Sequence, residues 1–132
     1  GMKELVENTA GGKNSVARYM DSIERLWEVI GHLNVGLCLD TCHTWAGGIP
    51  TIDAVKGFKK LVKKIDLIHF NDSKDGFESS RDRHENLGKG KIPKEELEYV
   101  IKNAKTDIIV ETPNGPDAQK KDIAWIRRRL KK

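Results

Sequence analysis

Nowhere in these 132 residues is there a run of about 18 apolar side chains, so no membrane-spanning helix is expected. Cysteine is scarce as well. Cys38 and Cys42 are the only two, and they make no disulfide framework. That usage fits a reducing, cytoplasmic-type compartment. No secretory signal is recognisable, because the start is polar and the first long periodic segment is amphipathic. Gly1 ahead of Met2 has the form of a protease-cleavage remnant. Neither sign of charge is in large excess, with 24 Lys and Arg against 20 Asp and Glu. The densest basic groups, Lys59-Lys60 with Lys63-Lys64 and Arg127-Arg128-Arg129 with Lys131-Lys132, read as a solvated helix face and a helix C-terminus. A chain that is 37% hydrophobic and 33% charged is one globular domain's worth, long enough for a real core.

What is present is a set of seven potential metal ligands, four of them placed where an apolar run stops. Leu5-Val6 precedes Glu7, Val35 to Leu39 precedes Asp40, Leu67-Ile68 precedes His69, and Ile108 to Val110 precedes Glu111. His43, Asp82 and His84 follow in what read as the loops after the second and third runs. Between the runs lie helical periodicities, predicted over Ser15 to Ile30, Thr51 to Lys64, a segment opened by Pro93, and Asp117 to Leu130. The strands are predicted at residues 3–7, 35–40, 67–71 and 107–111. This is an α/β chain of four βα units. By period two, Asp40 shares a face with Cys38 and Gly36, His69 with Leu67, and Glu111 with Ile109. All four ligands then face one cavity at the carboxyl ends of parallel strands, where such folds build their chemistry. A small open sheet and half of a TIM-type (β/α)8 barrel both accommodate four units, and the convergence of strand ends favours the half-barrel. Its open edges and naked inner face call for a partner or self-association.

Each signal alone is weak. Asp40-x-x-His43 and Asp82-Arg83-His84 occur by chance, and His69 taken alone reads better as a hydrogen-bonded core histidine. Glu7 and Glu111 read equally as strand-end carboxylates or helix caps. Cys38 reads as a small buried hydrophobe and Cys42 as a neighbour of the ligands rather than a thiolate ligand. In conjunction they change meaning, because an apolar cavity cannot hold four such groups uncompensated. Mixed nitrogen and oxygen donors suit zinc, with Mn or Fe as alternatives. The segment Lys74 to Lys91, rich in Gly and charge and carrying Arg81, Arg83 and Lys89, is predicted as a long functional loop suited to a phosphate-rich ligand.

Four blocks, Glu7-Asn8-Thr9-Ala10-Gly11, Cys38-Leu39-Asp40-Thr41-Cys42-His43, His69-Phe70-Asn71-Asp72-Ser73-Lys74 and Asp82 to Gly90, resemble endonuclease IV in sequence and order. That family comprises the zinc-dependent apurinic/apyrimidinic endonucleases of base excision repair. The resemblance covers essentially the whole chain. It implies that residues 1–132 form one half-barrel domain, the C-terminal half of a (β/α)8 barrel starting at its fifth strand. It implies one zinc held by Glu7, Asp40, His69 and Glu111, with Glu7 bridging and with Glu7 and Glu111 the catalytic carboxylates. A second zinc is implied at His43, Asp82 and His84. The family's third zinc uses two histidines of the N-terminal half, which this sequence lacks, and His32 lies at a helix end on the far face. The reaction implied is hydrolysis of the phosphodiester 5′ to an abasic site in DNA, by water activated between metal ions. Arg83, Lys74, Arg81 and Lys89 are the candidate DNA contacts, and Asn8 and Asn71 candidates for orienting ligands or phosphate. For the chain alone, two zinc sites, an incomplete third and little or no incision are expected. Completion by an N-terminal half, or association with itself, is expected too. The competing classes are a non-catalytic metal-binding half-barrel fragment and a sugar isomerase- or epimerase-like metal barrel.

Overall fold

In the computed structural model, which describes residues 3–12 and 15–131, every apolar run becomes a strand and every amphipathic stretch a helix. The elements are β1 (Glu4–Glu7), α1 (Met20–Ile30), β2 (Val35–Asp40), α2 (Thr41–Gly47), α3 (Thr51–Val62) and β3 (Leu67–His69). They continue with β4 (Asp72–Ser73), β5 (His84–Glu85), α4 (Lys94–Asn103), β6 (Ile108–Ile109) and α5 (Gly115–Leu130). Strands β1, β2, β3 and β6 form one parallel sheet in chain order, while β4 and β5 pair antiparallel as a separate ribbon. An open doubly wound sheet reverses its strand order at a switch point. This sheet does not, and it therefore has the winding of a barrel. Gly1-Met2 lies outside the described residues. Among those described, no helix is long and apolar enough to cross a membrane.

The strand pleat sorts the side chains as their alternation requires. Leu37, Leu39 and Ile68 point outward and are buried under the helices with Ile23, Val55, Phe58, Leu97 and Val100. Helix α3 packs between α1 and α4, and α5 closes against α4. Each of these buried side chains contributes roughly 1.5–3 kcal/mol through area removed from water. Among the described residues the other face of the sheet carries no helix, and Leu5 and Ile109 are 39% and 48% exposed on it. Parallel sheets are normally covered on both faces, so the bare face is the inner wall of an open half-barrel. Gly36 sits where a Cβ would come within 2.1 Å of the Asp66 carboxylate, which accepts the Leu37 N–H at 3.0 Å. Only glycine permits that approach.

Several element boundaries differ from the sequence expectation. Helix α1 begins at Met20 rather than Ser15, because Ser15 spends its hydroxyl on Thr9 Oγ1 at 2.6 Å and does not cap the helix. Helix α3 stops at Val62, where Lys63 turns to a positive φ of 63°. The last strand is only Ile108–Ile109, and α5 starts earlier, at Gly115, with Pro116 in its first turn. The predicted loop after Asp40 is in fact α2, so His43 stands on a helix. The long loop from Lys74 to Lys91 contains β5, which pairs back on β4 and gives the segment a fixed course.

Phe58 is fully buried at the centre of the helical layer. Phe58→Ala should destabilise the chain by about 3–5 kcal/mol through lost burial and a residual cavity. In urea titration this appears as a lower midpoint at unchanged slope; a change below about 1 kcal/mol would show that the helical layer is not the core.

Candidate metal centre

Asp40 ends β2 and caps α2, and both roles follow from its carboxylate. Its Oδ1 accepts the His43 N–H at 3.1 Å, one turn into the helix. This is the N-cap bond that short acidic side chains make. The helix then ends at Gly48, whose φ of 97° suits glycine. An aspartate followed by a glycine eight residues on was the available signal for α2, but seven residues are too few for a periodic stripe.

Two buried asparagines hold Asp40 in place. Asn8 Oδ1 accepts the Asp40 N–H at 2.8 Å, and Asn8 Nδ2 donates to the Asp40 carbonyl at 3.3 Å, tying the end of β1 to the end of β2. Asn71 Nδ2 donates to Asp40 Oδ2 at 3.4 Å, while Asn71 Oδ1 accepts the Glu111 N–H at 2.8 Å. Thr41 completes the frame, donating to the Asn71 carbonyl at 2.6 Å and accepting its N–H at 2.8 Å. Asn8 and Asn71 therefore orient the candidate ligands from behind.

The candidate ligands converge in front of this frame. His69 Nδ1 lies 2.9 Å from Glu7 Oε2, 3.1 Å from Glu111 Oε1 and 4.0 Å from Asp40 Oδ2. One donor atom from each of Glu7, Asp40, His69 and Glu111 falls within 4.8 Å of the other three. Asp40, His43 and His84 form a second such group. Asp82 joins it, with Oδ2 at 3.0 Å from His43 Nε2 and Oδ1 at 3.0 Å from His84 Nε2. Asp40 Oδ2 stands between the two groups, 3.6 Å from His43 Nε2 and 3.8 Å from His84 Nε2. All seven residues singled out in the sequence thus meet at one place. His32 sits in the exposed turn before β2, at the opposite end of the sheet.

Backbone carbonyls set the tautomers. His43 Nδ1 donates to the Asn8 carbonyl at 2.8 Å, and His84 Nδ1 donates to the Glu111 carbonyl at 3.1 Å. In the neutral ring each bond leaves Nε2 without a proton, the arrangement that orients histidine toward a cation. His84 Nε2 is buried and, among the described residues, no group donates a hydrogen bond to it; its near neighbour is the Asp82 carboxylate at 3.0 Å. A buried nitrogen lone pair without a donor, facing carboxylates that cannot supply a proton, fits a cation better than it fits a metal-free hydrogen-bond network.

With this geometry in view, the family model described as xylose isomerase-like TIM barrel matches residues 1–129. The chain belongs to that family. A protein named "Probable endonuclease 4" from Mycobacterium ulcerans is 47% identical over 125 residues, covering 95% of this chain and 49% of that protein. The protein of the same name from Mycobacterium tuberculosis is 49% identical, covering 94% and 48%. The crystal structure of endonuclease IV from Thermus thermophilus superposes with a TM-score of 0.78 at 31% identity, covering 96% of this chain and 49% of that one. A D-tagatose 3-epimerase-like protein superposes at 0.74 with 21% identity, a likeness of fold alone. The chain spans about half the length of the relatives it matches, and its four-stranded parallel sheet is half of a TIM barrel.

Burial sets the direction of the shift at Asp40 and at both thiols. It drives Asp40 up to about 6, against the pull of His43, a backbone hydrogen bond and His84. For His43 burial acts downward, but Asp40, the Asn8 carbonyl, Asp82 and Glu7 outweigh it and the net shift is upward. Burial pushes both thiols up to about 12, which keeps Cys38 and Cys42 protonated beside the carboxylates. Cys42 Sγ points at the Arg83 carbonyl, 3.7 Å away, and at Asp82 Oδ1, 3.9 Å away.

The basic loop is held by two acids to which the sequence reading assigned no role. Asp72, fully buried, accepts the N–H groups of Ser73 and Ile92 on Oδ1 and those of Gly88 and Gly90 on Oδ2, all within 3.1 Å. A Cβ on Gly90 would sit 2.4 Å from that carboxylate, so glycine is required there. Asp75 takes the Arg83 guanidinium through Nε at 2.8 Å and Nη2 at 2.6 Å, with Arg81 at 3.9 Å. Among the described residues Arg83 Nη1 takes no part in this pairing, and Lys74 and Lys89 are exposed. The surrounding glycines were the only sign in sequence that Asp72 gathers backbone amides.

For the metal-free chain, the folded pKa of Asp40 lies above its unfolded value, so the native state holds the extra proton. Its stabilisation is complete below about pH 3.8 and is lost as pH rises through about 6. His43 acts in the same direction at higher pH. Asp40→Asn should therefore flatten the fall in stability between about pH 4 and pH 6, read as urea midpoints in chelator. An unchanged pH slope in that variant would contradict the burial of the Asp40 charge.

Proposed function

We propose that this chain carries most of a multinuclear zinc centre of an endonuclease IV-type enzyme, which hydrolyses the phosphodiester 5′ to abasic sites in DNA. The observation that carries the reading is the convergence of Glu7, Asp40, His69 and Glu111 from the ends of four adjacent parallel strands onto one ion-sized space. The names of the relatives, and a 31% identical solved endonuclease IV, support the reaction class. The bare, buried Nε2 of His84 supports a cation. Residues 1–132 act in this reading as a single half-barrel unit, completed by a complementary half or by association with another copy.

Glu7, Asp40, His69 and Glu111 would hold one ion, and His43, Asp82 and His84 would hold a second. The donor set of carboxylate oxygens and imidazole nitrogens suits zinc and also admits Mn or Fe. When bound, such ions lower the pKa of coordinated water and neutralise charge developing on phosphate. The chain's own work is positional. Asn8 and Asn71 keep Asp40 and Glu111 at fixed places, and the carbonyls of Asn8 and Glu111 keep two imidazoles in the metal-binding tautomer. Asp72 fixes the course of the loop that brings in Asp82 and His84. Lys74, Arg81, Arg83 and Lys89 would meet the DNA backbone, contacts that position without reading sequence.

A sugar isomerase or epimerase needs only one divalent ion, and the Asp82–His84 pair beside His43 argues for a second. The chain should take up about two zinc ions. His84→Ala should remove one of these, and Glu111→Gln should weaken the other at least tenfold, both measured by competition with a chromogenic chelator. An abasic duplex should be cut 5′ to the lesion when the complementary half of the barrel is supplied, and little without it. Zinc uptake that ignores both substitutions would refute the assigned ligands. Full ligation with no incision in the completed barrel would leave a metal-binding half-barrel without this activity.

A further inference from the structure

Beyond the metal centre, a cavity of about 420 Å³ opens between the loop that follows β5 and helix α5. Lys89, Lys121 and Arg128 line it, together with the amides of Asn86 and Asn114 and the indole of Trp125. Lys121, Trp125 and Arg128 fall at i, i+4 and i+7 on α5, so helical geometry stacks them along one face. Lys89 reaches the same space from the opposite wall. The Lys and Arg ion pairs of the described residues use Lys3, Arg25, Arg81, Arg83 and Arg129. None of the three cavity cations is among them. The one acid in the wall, Asp122, is already engaged, with Oδ1 on the Leu87 N–H at 2.9 Å and Oδ2 on Asn86 Nδ2 at 2.8 Å.

The walls are also stiff. Asn86 donates to the Pro113 carbonyl at 3.0 Å, and its Oδ1 accepts Asn114 Nδ2 at 2.7 Å. Arg129 lies 3.5 Å over the Trp125 ring and fixes the indole from outside the cavity. Gly88 lets the loop close on that indole, since a Cβ there would stand 2.9 Å from Nε1. The cavity is continuous in sequence with the metal centre at two points. Asn86 is two residues beyond His84, and Asn114 is three beyond Glu111.

We infer that this cavity is a phosphate-binding site, which takes a backbone phosphate of the nucleic acid whose scissile phosphate occupies the metal centre. The inference rests on the proposed phosphodiester substrate for its ligand and on the cavity alone for its chemistry. Three cations outside those ion pairs, with the second amide hydrogen of Asn114 and the Trp125 indole beside them, make a pocket for an oxyanion, since a guanidinium and ammoniums bind phosphate oxygens by charge-assisted hydrogen bonds. The site lies on α5 and on the far side of the loop carrying Asp82 and His84. It would therefore set where the duplex lies and leave the chemical step to the metal ligands.

The test compares Lys121→Gln with Arg128→Gln as a double variant against Lys102→Gln with Lys105→Gln, an equal charge change in the cavity beside Asp66 at the other end of the sheet. Binding of a fluorescent abasic duplex to the zinc-loaded chain is followed by anisotropy over a range of salt. The α5 variant should lose at least tenfold in affinity, and its salt slope should fall by about one, as expected for one lost phosphate contact. The control pair should change neither. Equal losses in both pairs would reduce the effect to net charge and overturn the proposal. In parallel, inorganic phosphate is titrated while the Trp125 indole N–H resonance is followed. If no duplex binds, yet phosphate shifts that resonance in the parent chain and not in the α5 variant, the cavity stands and the nucleic-acid reading falls. If neither probe separates parent from variant, the cavity proposal is wrong.

Discussion

The carboxylate of Asp40 is fully buried, and most of the centre is arranged around it. A lone charge in such a place costs several kcal/mol, and the fold meets that cost with directed bonds. The Asn71 amide and the first turn of α2 reach its two oxygens, and Asn8 holds its backbone. Those bonds simultaneously join the carboxyl ends of β1, β2, β3 and the segment after β6. The interaction that tolerates the buried charge is thus the same one that brings Glu7, His69 and Glu111 into register around it.

The histidines show how little freedom remains. Two of the three are locked by main-chain carbonyls rather than by side chains, so their tautomers are written into the backbone path. That path depends in turn on Asp72, whose four amide contacts curl the segment from Ser73 to Ile92 into a closed loop. A carboxylate that ligates nothing therefore governs where Asp82 and His84 stand. The described residues also leave the inner face of a four-stranded parallel sheet bare, the geometry of one wall of a barrel.

Much of this was legible in the amino-acid order. Apolar runs ending in Glu7, Asp40, His69 and Glu111 announce strands whose ends carry candidate ligands, and the helical stripes between them announce the outer layer. The strands obey period two, so the shared face of Cys38 and Asp40, and that of Ile109 with Glu111, could be read from the order alone. What escaped notice was short or non-local. Helix α2 is too brief to show a stripe, and the pairing of β4 with β5 involves two residues on each side. Ser15 looked like a helix cap because its side chain is the right kind, but its hydroxyl was already claimed by Thr9 six residues away.

By itself, the sequence determined the number of βα units, the identities of the seven candidate ligands and their delivery to one end of the sheet. These properties repeat over a few residues and follow from local geometry. Tertiary structure alone decided that Asp40 stands between two candidate ligand groups, that Asp82 spans two imidazoles, and that Asn8, Asn71 and Asp72 hold the frame. It also decided that Lys89 meets Lys121 and Arg128 across a cavity. Those facts join residues tens of positions apart, and the contacts that create them exist only once the chain has closed on itself.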